Sequence, residues 1–135
     1  MALFDWNDNY SVKVLQMDNE HKKLVGMLNE LHESMKVGKG KEALESILDG
    51  LIKYTSTHFV SEEKLMKMHN YPGYEQQKKE HNILLLQVSD IQKKYKEGSV
   101  LLTQEVMLFL KDWLQKHIQI EDKKYGPFLN NKGVL

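Results

Sequence analysis

From residue 74 to residue 95 the chain reads YEQQKKEHNILLLQVSDIQKKY. Tyr74, Gln77, His81, Leu84, Val88, Ile91 and Tyr95 advance through it by threes and fours, an unbroken seam along one side of a helix. Working outward, the same step recurs three more times. His21, Leu24, Leu28, Leu31 and Met35 carry it before this stretch, and so do Leu44, Leu48, Leu51, Thr55, His58, Glu62, Leu65 and His69. Val106, Leu110, Trp113 and His117 carry it after. No run alternates with period two, so strands are not expected. Gly38-Lys39-Gly40, Pro72-Gly73 and Gly98 separate the four segments, Asp18 or Asn19 is placed to cap the first, and Ser99 or Thr103 to start the fourth. Short connections force antiparallel neighbours. The expectation is an all-α, antiparallel up-down-up-down four-helix bundle forming one domain over residues 1–135. An N-terminal arm, Met1 to about Met17, would pack its Phe4, Trp6 and Tyr10 against it.

Composition narrows the function. With 135 residues, 41% hydrophobic, the chain suits one domain with a real core. Nineteen basic and nineteen acidic side chains cancel, which argues against a nucleic-acid binder or a polybasic membrane adaptor. The absence of cysteine excludes a disulfide framework, an Fe–S cluster and a thiolate nucleophile. The longest aliphatic run, Ile83 to Leu86, is far too short to span a membrane, and no basic-then-apolar leader opens the sequence. A cytoplasmic location is expected. The paired lysines Lys22-Lys23, Lys78-Lys79, Lys93-Lys94 and Lys123-Lys124 read as solvated helix faces.

The seams themselves are unusual. His21, His58, Glu62, Gln77, His81 and His117 fall in phase with the leucines, where the interior should be. One seam histidine is ordinary, but one on every helix together with a glutamate is not. A buried carboxylate needs a compensating charge, no seam Arg or Lys supplies one, and a metal cation is the simplest. Counting from the turns, His21 and His58 each lie roughly 18–19 residues from the first, and His81 and His117 each roughly 18 from the third. Two histidine pairs therefore stand at neighbouring heights, with Glu62 between them, which describes a site for two ions. Imidazoles with carboxylates suit iron best, with manganese and zinc as weaker candidates.

Trp6, Asn19-Glu20-His21-Lys22, His58-Phe59-x-x-Glu62-Glu63, Tyr71-Pro72, His81 and Asp112-Trp113-Leu114-x-x-His117-x-x-x-x-Asp122 resemble the bacterial hemerythrins over essentially the whole chain. The resemblance implies a four-helix bundle holding a non-haem di-iron centre with an oxo or hydroxo bridge that binds O2 reversibly. It assigns His21 and His58 to one iron, His81 and His117 to the other, and Glu62 and Asp122 as bridges. Phe59, Trp113 and Leu114 would line the O2 pocket, with Leu114 as its gate. Asp122 lies five residues past His117, ~140° around an ideal helix, so the chain there must loosen or end, and Gly126-Pro127 suggests an ending. Tyr54 and Tyr125 are candidates to hydrogen-bond ligands or bridges. Met66, Met68 and Met107 are taken as core filler, and His32 and His69 as partly exposed histidines without a metal role.

One departure stands out. Where the family has a fifth histidine, four residues before His81, this chain has Gln77. An amide oxygen is a weaker donor to iron than an imidazole. Gln77 either ligates through its carbonyl, holds a ligating water or leaves an open position, and the last two are favoured here. The leading expectation is an O2-binding protein for carriage, storage or delivery, not an enzyme, as a monomer or weak homo-oligomer. The alternatives are a di-iron redox enzyme acting on peroxide or nitric oxide, with Gln77 raising that option, and an O2- or redox-sensing module.

Overall fold

The computed structural model describes residues 4–38, 40–98 and 104–135. Helix α1 runs Leu15–Lys36, α2 Lys41–Met68, α3 Tyr74–Lys96 and α4 Gln104–Lys116. A π-helical turn, His117–Asp122, then joins α4 to a short α5, Lys123–Asn131, so the fourth rod passes from α to π and back to α without breaking. No strand occurs among the described residues. The protein is the expected four-helix bundle. Helix α2 packs on both α1 and α3, and α1 also packs on α4. Asp49 accepts from Gln92 while Glu63, further along α2, meets His81, so α3 retreats as α2 advances and the two are antiparallel.

The second connection shows how the sequence stops a helix. Asn70 takes a left-handed conformation (φ 57°), its N–H reaches Lys67 O, and Tyr71 N–H reaches Met66 O. This pairing satisfies the last carbonyls of α2, and asparagine is the residue other than glycine that best tolerates that backbone. Pro72 follows where no helix could continue. Ser99 and Thr103, the expected start of the fourth helix, lie outside the described residues.

The first helix starts differently from expectation. Its N-cap is Val14, which offers no side-chain cap, and Asp18 lies within the first turns. Asp18 instead holds the arm: its carboxylate accepts from Ser11 Oγ at 2.6 Å and Val12 N–H at 2.8 Å. The arm is further tied by Phe4 N–H to Asn29 Oδ1 and by Asn130 Nδ2 to Lys13 O. Phe4 and Tyr10 are buried in contact with one another, and Trp6 packs beside Tyr10, as expected of the arm's aromatics.

Two apolar clusters fill the interior. The larger gathers Leu24, Leu28 and Leu31, Leu44, Leu48 and Leu51, Val88, and Leu110 and Leu114. The smaller gathers Val12, Val14, Met17, Met66, Tyr125 and Leu129. On α1, His21 falls between Met17 and Leu24; on α2, His58 and Glu62 fall between Leu51 and Met66. A polar layer is therefore enclosed between two dry ones. Met66 and Met107 are core residues, but Met68 is 63% exposed, on the outer face of α2. His32 proves buried and His69 half-buried, both outside the polar layer.

Candidate metal centre

The polar layer contains His21, His58, Glu62, His81, His117 and Asp122, each no more than 4% exposed. Every rod contributes one histidine. The ligand atoms fall into two overlapping groups, His21, His58, Glu62 and Asp122, and His81, His117, Glu62 and Asp122. Within each group all four atoms lie within 4.8 Å of one another, the spread expected around a single cation. Glu62 and Asp122 belong to both.

The distances show how the acids span the pair. Asp122 Oδ2 lies 2.9 Å from His21 Nε2, and its Oδ1 lies 3.1 Å from His117 Nε2. Glu62 Oε1 lies 3.1 Å from His58 Nε2 and 3.5 Å from His81 Nε2, while Oε2 lies 3.5 Å from His21 Nε2. Close approach is not hydrogen bonding here. His21 Nε2, His58 Nε2, Glu62 Oε1 and both oxygens of Asp122 are buried without an aligned hydrogen-bond partner. Lone pairs crowded together without pairing are what a cation seated between them would satisfy. Leaving such groups unsatisfied costs roughly 1–3 kcal/mol each, more for charged ones. Neutral imidazole nitrogens and carboxylate oxygens are the donor set that a pair of transition-metal cations would satisfy.

The π-turn explains Asp122. In an α-helix the fifth residue after His117 would swing away from it; a π-turn carries more residues per revolution and bonds i to i+5. His117 and Asp122 consequently share a face. The chain loosens, as one of the two expected outcomes had it, and does not end at Gly126-Pro127: α5 continues through Pro127.

Without a cation the layer is a charge cage. Burial would push His58 down, but the nearby charge of Glu62 and the hydrogen bond to Glu20 outweigh it and raise His58 to about 10. His21 and His81 are raised against the same burial by the acids that face them. Burial would raise Glu62, yet the His58 charge and contacts to His117 and His21 hold it well below the usual carboxylate range.

Around the layer, Tyr125 Oη donates to Glu62 Oε2 at 2.5 Å from full burial. Tyr54, the other candidate, sits half-buried under the Lys23 ammonium, away from the hydrogen bonds described for the layer. Phe59 stacks flat on His81, centroids 3.9 Å apart and 1° from parallel, and lies 5.2 Å from His117. Trp113 runs nearly parallel to His117 at 6.3 Å. Trp113 and Leu114 line a narrow, almost wholly apolar cavity of about 20 Å³ with Leu24, Leu51 and Val88, whereas Phe59 covers the histidines and is not among its walls. Gln77 is 2% exposed, one turn before His81 on the same face of α3.

Helical periodicity assigns no role to Glu20 and Glu63, which the structure brings to the layer. Glu20 Oε1 lies 2.6 Å from His58 Nδ1 and Glu63 Oε2 2.9 Å from His81 Nδ1. The available signal was adjacency: Glu20 precedes His21 and Glu63 follows Glu62. A neighbour turned ~100° from an inward residue points at the flanking helix.

Comparisons with known proteins point to one family. A sequence model described as the hemerythrin HHE cation binding domain matches residues 13–129. The chain is 37% identical over 131 residues to a bacteriohemerythrin of Methylococcus capsulatus, covering 96% of this chain and 99% of that protein. It is 29% identical over 122 residues to a myohemerythrin of Theromyzon tessulatum, covering 90% of each. A crystal structure of wild-type hemerythrin superposes with a TM-score of 0.89 at 35% identity, over 93% of this chain and 97% of that one.

Proposed function

The chain belongs to the hemerythrin family, and on that premise we propose that it is a single hemerythrin-like domain that binds O2 reversibly at two iron ions. His21 and His58 would hold one ion and His81 and His117 the other, with Glu62 and Asp122 bridging both beside an oxo or hydroxo group. The observation that carries the reading is the pair of overlapping donor sets sharing two buried acids, three of whose four oxygens lack aligned partners. When bound, the iron pair supplies the electrons that O2 accepts and the open position at which it binds. The protein's own residues do the rest. The four imidazoles fix the ions' separation, and the two acids hold them together and balance their charge. Phe59 and Trp113 restrict the rings of His81 and His117 from the side. Trp113 and Leu114 present apolar walls to a small neutral guest and none to a hydrated ion, and Leu114 stands at its gate. No membrane-crossing helix occurs among the described residues, and a cytoplasmic carrier or store is the setting proposed.

Gln77 changes the second half of the centre. In place of a third imidazole beside His81 the chain offers an amide, so that position is taken by a water or left open, and the ion is held less tightly than a third imidazole would hold it. This gives both ions the same donor set and favours one second reading, redox turnover of peroxide or nitric oxide between two equally accessible ions.

The test is to load the protein with iron, reduce it anaerobically and admit O2. A coloured adduct that disappears when O2 is withdrawn and reforms when it returns is expected for carriage. Immediate conversion to a stable ferric spectrum would refute carriage and support turnover. Failure to retain two irons would refute both.

A further inference from the structure

Glu20 and Glu63 share a pattern that the bridging acids do not. Each is the chain neighbour of an inward ligand residue, and each reaches across to a histidine on the next helix. Glu20, beside His21 on α1, meets His58 on α2; Glu63, beside Glu62 on α2, meets His81 on α3. An ionised carboxylate only accepts a hydrogen bond, so in both cases Nδ1 carries the proton and Nε2 is left to face the interior. One histidine of each pair is held in this way. His21 Nδ1, by contrast, has no hydrogen-bond partner among the described residues.

The two acids are also sheltered. Their side chains are 18% and 17% exposed, and their ion pairs among the described residues run to imidazoles, not to lysines. Glu20 is fixed further: Ser61 Oγ donates to its Oε2 at 3.1 Å, and so does Gln16 Nε2. Gln16 Nε2 also reaches Ser61 Oγ at 3.0 Å. The second acid, Glu63, meets the ring that Phe59 already clamps by stacking. Charge follows the same division. Glu62 and Asp122 are shared between the two donor groups, whereas Glu20 and Glu63 each add one negative charge behind a single group. Four carboxylates then stand against two divalent cations.

We infer that Glu20 and Glu63 are dedicated positioning residues, one for each ion, that fix the tautomer of His58 and His81 and set the affinity of the two metal positions separately. The inference rests on the two-ion reading above. A carboxylate behind a ligating imidazole orients the ring and makes its far nitrogen a better donor, and its removal typically costs about 10–100-fold in metal affinity.

The experiment titrates metal-free protein with Co²⁺ against a competing chelator, for the parent chain, Glu20→Gln, Glu63→Gln and the double variant. The parent should bind two equivalents. Each single variant should keep two but weaken one of them by about 10–100-fold, and the double variant should weaken both. Glu20→Ala and Glu63→Ala, which remove the acceptor as well as the charge, should weaken the same equivalents more than glutamine does. Proton spectra of the Co²⁺-loaded protein supply a second reading. Glu20→Gln and Glu63→Gln should each shift or broaden a different exchangeable, paramagnetically displaced N–H resonance. If both variants lower the melting temperature of the metal-free protein but keep parental affinities and resonances, the acids are merely structural and the inference is overturned. If both weaken the same equivalent, the division of one acid to each ion is overturned. If the parent itself fails to take two Co²⁺ ions, the two-ion reading falls, and this inference with it.

Discussion

Replacing Gly126 by alanine tests whether the arm, α5 and the metal centre form one packed unit. A Cβ built at Gly126 would stand 2.4 Å from Val12 O and 3.3 Å from Val12 C. That is about 1 Å inside an unstrained contact of ~3.5 Å. The obstacle is backbone, and it cannot retreat freely: Val12 N–H is held by Asp18, and the next carbonyl, Lys13 O, by Asn130. Overpacking of this kind costs roughly 1–3 kcal/mol, with the immobile carbonyl placing it toward the upper end. Alanine recovers about 0.5–1 kcal/mol of helix propensity, so the net loss is ~1–2.5 kcal/mol. For a domain of this size that is a fall in Tm of roughly 3–8 °C. Gly50→Ala is the internal control. It lies within α2, where the nearest atom to a new Cβ is Met27 Cε at 3.9 Å, so the same substitution should raise stability by about 0.4–1 kcal/mol. Differential scanning calorimetry on the metal-free proteins reads both signs. The effect should also reach the site, because Tyr125, beside Gly126, donates to Glu62; Gly126→Ala should weaken Co²⁺ uptake and Gly50→Ala leave it unchanged. If Gly126→Ala melts at or above the parent temperature, the arm is not packed against α5 as described and the coupling argument fails.

Tyr125→Phe removes a hydrogen bond to a buried charge and should cost about 1.5–3 kcal/mol in metal-free protein, read by denaturant titration. Phe59→Ala strips the stacked ring from His81 and should cost about 3–5 kcal/mol by the same measurement. Gln77→His should tighten one of the two Co²⁺ equivalents without changing the other; an unchanged titration would show that residue 77 does not reach an ion. Metal uptake should release protons near neutral pH, because His58 titrates at about 10 and His21 and His81 are also raised, so affinity should climb between pH 6 and 9. In metal-free protein the sign reverses. The contribution of His58 is complete below about 6.5 and lost as pH rises toward 10, while that of Glu62 is present above 4.5 and lost as pH falls below it. Stability should therefore peak near neutrality, and a metal-free protein most stable at pH 10 would contradict the charge cage.

The four seams were legible because burial leaves a period in the sequence, and a histidine in a leucine's phase is visible without coordinates. The pairing of His21 with His58 and of His81 with His117 followed from counting along straight rods, which holds because α1, α2 and α3 are uninterrupted. Asp122 resisted that count because no residue propensity announces a π-turn; its five-residue spacing fits the site only in the structure. Asp18 was assigned to a helix end on local preference, whereas its partners, Ser11 and Val12, come from an arm whose path is set by tertiary contacts. The acids Glu20 and Glu63 were hidden for a related reason. Periodicity reports which residues face inward, and these two face sideways, across a helix–helix seam.

The arrangement of the shared acids follows from the topology. Helix α1 packs on α2 and on α4, α2 packs on α3, and His81 meets His117 between α3 and the fourth rod, so α2 and the fourth rod face each other diagonally. One histidine pair comes from α1 and α2, the other from α3 and the fourth rod. Glu62 and Asp122 therefore arise from opposite corners, one acid from each histidine pair, and each crosses the interior to the other pair. Two acids on neighbouring helices would approach a pair of cations from one side and leave the other to water. A diagonal placement closes the layer from both sides, and it requires the fourth rod to turn two residues of unequal phase inward. The π-turn is what allows both His117 and Asp122 to do so, which makes the irregular stretch of the bundle a condition for Asp122 to stand in both donor sets.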